Sequence, residues 1–159
     1  MDDHAASGAV PGSPALTSDR VGHAVGRLLA VPVPDPGRRP PSALFEAIEE
    51  LIRAASSDDV AAIIAKAMDQ GRCGRERAGL IIGCAAWCGT DNGQAMQATL
   101  DSWLARPDDP DRAWIALHHD AYPFRSHAEM TTRLREVATR YPELADTCED
   151  LITTRQPGS

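Results

Sequence analysis

The densest set of chemistry-bearing side chains is His118-His119-Asp120, with His127 nearby. Adjacent imidazoles and a carboxylate can ligate a divalent cation and activate water on it. Cys84 and Cys88 lie one helical turn apart and could supply two thiolates to zinc or a redox couple. Such pairs usually read C-x-x-C, and no histidine lies close in sequence. Trp87-Cys88-Gly89 has the look of a redox loop but lacks the second cysteine. Free cysteine is among the most buried residue types, so Cys84 and Cys88 read as core packing. Trp87, Trp103 and Trp114 read as core anchors. Any of them exposed in a groove would be the first partner-binding candidate.

The stretch ALHHDA resembles the His-Asp dyad of HD-type metal-dependent phosphohydrolases. The resemblance implies a further His from an upstream helix and an Asp from a downstream one, and His23 and Asp146 are the tempting completions. Against it, His118 shares a helical face with Trp114, Leu117 and Ala121, the place of a semi-buried histidine. His119 and Asp120 then fall on the surface. Asp58-Asp59 and Asp108-Asp109 sit at expected helix starts, where unpaired N–H groups favour carboxylates; they read as caps rather than a metal site. No cofactor and no metal is called for.

The elements that must position these residues are helical. The chain has 159 residues with a formal net charge of −7, and its aromatic content is only 4%. The charge lies in residues 42–159, because the acids and arginines of residues 1–41 cancel. An acidic body excludes a phosphate-backbone binder and suits a basic protein surface. The near-total replacement of lysine by arginine reads as codon usage in a GC-rich bacterial genome. No apolar run approaches the ~18–20 residues of a membrane helix. Met-Asp-Asp opens the chain without a secretory leader, so a cytoplasmic setting with free thiols is expected.

Residues 1–41 read as an arm. Small polar residues dominate to residue 17, a short helix capped at Ser18-Asp19 follows to Ala30, and VPVPDPGRRPP forms a stiff linker. That helix either docks on the body or stays detached. From residue 42 to 154 the spacing predicts seven helices. Their stripes include Leu44, Ile48 and Leu51; Val60, Ile63 and Ile64; Met96, Leu100 and Leu104; and Met130, Leu134 and Val137. Ser57 or Asp58 is the expected cap of the second, Asp109-Pro110 opens the fifth, and Ser126-x-x-Glu129 is a capping box for the sixth. The helix from Arg75 to Cys88 is the most apolar and is expected at the centre. Residues 155–159 form a tail.

Odd-numbered helices of this series begin near 42, 73, 109 and 142, a spacing typical of helical repeats. Ile82-Gly83, Ala86, Ala95, Ser102 and Pro107 resemble a tetratricopeptide hairpin, in which small residues let two helices nest. Leu117, Leu134 and Pro142 repeat three of the slots, while His118 and Met130 depart from them. The stretch from Ala78 to Pro110 is also similar to the C-terminal helical part of an uncharacterised family of GC-rich bacteria, which implies no reaction.

The expected fold is therefore all-α: stacked antiparallel helical hairpins, TPR- or HEAT-like, behind a flexible Pro-rich arm. The leading function is a non-enzymatic protein-interaction or regulatory module with a protein or peptide partner. No nucleic acid and no membrane is expected to bind. The alternatives are a small phosphohydrolase using His118, His119 and Asp120, and a helical domain related to a larger protein.

Overall fold

The structure, a computed structural model, describes residues 14–35 and 37–155. The tail readings of residues 1–13 and 156–159 lie outside the described residues; Arg155, read as the start of the C-terminal tail, is instead buried, its guanidinium held by backbone carbonyls. Among those described, the chain is all-helical and has no strand. The helices are α1 (Pro14–Ala30), α2 (Ser42–Ala55), α3 (Val60–Asp69), α4 (Arg75–Ala85), α5 (Gln94–Ala105), α6 (Pro110–Leu117), α7 (His127–Arg140) and α8 (Ala145–Thr154). A 3-10 turn at Pro142–Leu144 leads into α8.

Local chemistry sets the boundaries. Asp59 caps α3 by accepting from the Ala62 N–H at 3.1 Å. Ser57 and Asp58, the expected caps, have other roles: Ser57 accepts from the Asp59 N–H, and Asp58 accepts from Thr90. Asp109 caps α6, with Pro110 in the first turn. Ser126 accepts from the Glu129 N–H at 3.2 Å and caps α7 as its sequence box predicts. Gly71 ends α3 at φ +69, a conformation that only glycine adopts cheaply.

The helices form two layers. α3, α5 and α7 pack in series on one side, and α2, α4 and α6 on the other. Across the layers α1 packs on α2, α3 on α4, α5 on α6 and α7 on α8. α4 and α6 run parallel. Arg75 pairs with Asp111 at 3.3 Å, and one turn later Gly79 lies against Trp114 and Ile115. Side chains from every helix close one continuous core, with Leu28, Ile48, Ile64, Ile82, Leu100, Leu104 and Leu134 fully buried.

Two expectations are corrected. First, the packed body does not begin at residue 42. Ala24, Val25 and Leu28 of α1 belong to the core, since the stripe Val21, Val25, Leu28, Leu29 has α2 to cover. Burying one leucine fully is worth about 1.5–3 kcal/mol, enough to hold the helix down. The arm is thus a docked helix, and it starts at Pro14 rather than Ser18.

Second, the hairpins pair one helix out of register from the sequence scheme. With α1 as the first member, α3 meets α4 and α5 meets α6, while α4 and α5 make only sparse contact. The tetratricopeptide unit is not seen. Ala95 is exposed, and a Cβ built on Gly83 would meet nothing within 4 Å.

Arg77 fastens α1 to the body. Its guanidinium donates to the carbonyls of Leu29 at 2.7 Å and Val31 at 2.5 Å, so α4 holds the end of α1 and the start of the linker. Charge-assisted hydrogen bonds of this kind contribute about 2 kcal/mol. Arg77→Ala is therefore expected to speed amide exchange along α1 while α4–α6 keep their protection. Unchanged α1 protection would show that the apolar stripe alone holds it.

Candidate functional site

α4 has two faces of different chemistry. Ala78, Ile81, Ile82 and Ala85 turn into the core. Glu76, Gly79, Leu80 and Gly83 line an open groove of about 480 Å3 between α2 and α6. The α2 wall is Phe45, with Pro40 ahead of it; the far wall is Trp114, Ile115 and His118. Trp87 and Asp120 close one end. Gly79 and Gly83 lie one turn apart on one line of α4, and Trp87 follows at the same spacing in the turn after it.

The two glycines differ. A Cβ on Gly79 would lie 3.4 Å from the Trp114 ring, so this position allows α6 to pack close. At Gly83 the space is open, and the missing side chain is the floor of the groove.

Trp87 is the most exposed large apolar residue among those described, at 83%. It follows the last α-helical turn, where backbone bonds tighten: Trp87 N–H donates to Cys84 O and Cys88 N–H to Ala85 O. The loop behind it is anchored. Asp58 accepts from both the Thr90 hydroxyl (2.8 Å) and the Thr90 N–H (3.0 Å), and those bonds hold its carboxyl below the usual range. Asp91 accepts from Gly93 and Ala95 at the start of α5. The indole is therefore carried on a tethered turn.

The structure brings Trp87 and Trp114 to the same groove and leaves Trp103 elsewhere. Trp103 is half-buried on α5, with the Arg112 guanidinium 5.9 Å from its ring centre. Trp114 is half-buried, covered by Arg75 at 5.0 Å and by the His118 ring stacked at 4.2 Å.

His118, His119 and Asp120 do not form the HD arrangement. His118 Nδ1 lies 2.8 Å from Trp114 O at the end of α6. His119 turns inward, where burial pushes its imidazole pKa down against the pull of Asp120, and its Nδ1 is buried without a hydrogen-bond partner. Asp120 is exposed. His127 is spent on Ile152 O at 3.0 Å. His23 lines a different cleft, between α1 and α2, with Asp19, Arg20, Glu50 and Arg53. Among the described residues no three His, Cys, Asp or Glu side chains are grouped to hold a metal ion.

All four cysteines are free thiols. Cys84 is buried, and Cys88 is half-buried with its Sγ 3.5 Å from Cys84 O. Burial raises the Cys84 thiol, and burial reinforced by Glu49 and Cys84 raises Cys88 to about 11. Burial also raises Cys148 to about 11. Burial thus favours the protonated form of all three. At pH 8 the thiolate population of Cys88 and Cys148 is about a hundredfold below that of a cysteine at the ordinary 9.0. Both are expected to resist iodoacetamide until the chain is unfolded; labelling at the rate of a free thiol would contradict this. The folded state keeps these two protons to higher pH than the unfolded chain does. The contribution is intact below pH 9 and is lost as pH rises toward 11.

Phe45, Leu80, Glu76 and Ile115 were not singled out from sequence. Leu80 and Glu76 could have been found from their helical spacing to Gly79, Gly83 and Trp87. Phe45 and Ile115 come from other helices, and only the packing of layers places them here. No family model, no curated protein and no solved structure matches this chain.

Proposed function

We propose that this chain is a non-enzymatic protein-interaction module that takes a partner into the groove between α2, α4 and α6. One observation carries the reading: Trp87, 83% exposed, lines the same groove as the open position at Gly83. A tryptophan normally hides most of its surface, and an aromatic beside a preformed pocket is the commonest anchor of protein interfaces. A stack of helices with parallel neighbours in one layer supplies such grooves without strain. The dispersal of His118, His119 and Asp120 into capping, burial and solvent favours this over the phosphohydrolase alternative.

The test is affinity capture from native extract with the full chain, the Trp87→Ala chain and the Gly83→Leu chain, each first shown to unfold cooperatively. A protein retained by the unaltered chain and lost by both variants is the expected result. Identical retention by all three chains would defeat the reading.

A further inference from the structure

The groove carries a charge pattern as well as an apolar floor. Its lining carboxylates are Glu76 at one end and Asp120, beside His118, at the other. Arg75, the cation nearest Glu76, is shared between Glu76 at 3.2 Å and Asp111 at 3.3 Å, and it covers the Trp114 ring. The carboxylates that line the groove thus meet no arginine or lysine within the lining itself. The run from Glu76 along α4 to Trp87 in the turn after it is about three turns, roughly 16 Å.

We propose that the occupant is a helical segment of another protein, about three turns long, with an apolar face and a lysine or arginine at each end. This rests on reading the groove as a docking site. An amphipathic helix presents apolar side chains at i, i+3, i+4 and i+7, which matches a trough walled by Phe45, Leu80, Ile115 and Trp87. The open position at Gly83 accepts one of those side chains. Basic ends meet Glu76 and Asp120, which fixes register along the groove. A second copy of this chain suits the groove poorly. Any two-fold pairing along it sets carboxylate against carboxylate, between chains of formal charge −7 each.

The probes are three synthetic helices: one with a leucine face and lysine ends, the same helix with glutamate ends, and the lysine-ended composition with its leucine face scrambled. Each is titrated against the full chain, the Gly83→Leu chain and the Glu76→Lys/Asp120→Lys chain, with binding read by calorimetry. The lysine-ended helix is expected to bind about tenfold tighter than the glutamate-ended one, and added salt should shrink the difference. The double charge reversal should invert the preference, and scrambling or Gly83→Leu should abolish binding.

Binding that requires Gly83 but ignores peptide charge overturns the inference and leaves the docking groove standing. Binding that survives Gly83→Leu overturns both. No binding of the lysine-ended helix overturns the inference, while the capture experiment judges the groove independently. A dimer in sedimentation that Gly83→Leu dissociates would put a second copy in the groove and also overturn it.

Discussion

Ile82→Ala is expected to lower stability by about 3–4 kcal/mol, the ordinary cost of emptying a well-packed aliphatic site. Ile82 is 0% exposed at the middle of α4, the helix that touches α2, α3 and α6 at once. Neighbours on three sides are held by their own packing, so the cavity cannot collapse easily. The melting midpoint should fall by about 10 °C for a chain of this size. The adjacent residue behaves oppositely. Gly83 is a helix-interior glycine facing open space, so Gly83→Ala relieves backbone entropy and should gain up to about 1 kcal/mol. A pair of thermal melts checks both. Equal effects at 82 and 83 would show that α4 does not divide into a core face and a groove face.

Arg155→Ala is expected to cost about 3 kcal/mol, a large effect for the last described residue of the chain. Its side chain is buried and donates to the carbonyls of Pro123 (3.1 Å), Phe124 (2.9 Å) and Arg125 (2.7 Å). It also lies 5.7 Å from the Tyr122 ring. Hydrogen bonds to a charged donor are worth about 1.5–3 kcal/mol, and their removal leaves acceptors facing a void.

The loop it clasps needs that support. Phe124 has φ +62, unfavourable for a bulky residue, and its N–H is held by Asp101 at 3.1 Å. Arg155→Lys should recover little, since a point charge cannot reach three carbonyls as the planar fork does. Unfolding in denaturant measures the loss, and faster exchange at the Phe124 amide should accompany it. A full-stability Arg155→Ala chain would show that the loop is held by α7–α8 packing alone.

The helices were legible because each core stripe recurs at helical spacing and each start carries a local signal. Asp109-Pro110 and Ser126-x-x-Glu129 are examples in which the deciding atoms lie within four residues. Asp58 was misread because its partner, Thr90, comes from a loop 32 residues away. The same limit shifted the hairpin register. Periodicity shows that α1 has an apolar face, but only α2 shows that the face is covered, and the pairing scheme depends on where counting starts. At the candidate site, Trp87 and Trp114 were nameable as residue types. The groove was not, because Gly83 looks identical in sequence whether it nests against a helix or opens to solvent.

The central claim is that a partner occupies the face of α4 where Trp87 stands. It is tested most directly by replacing Trp87 in the full chain with a photo-reactive aromatic residue and irradiating native extract. An identical substitution at Arg135, away from the groove, serves as the control. A protein adduct formed from position 87 and missing from position 135 is the predicted result. The same adducts from both positions, or none from position 87, would contradict it.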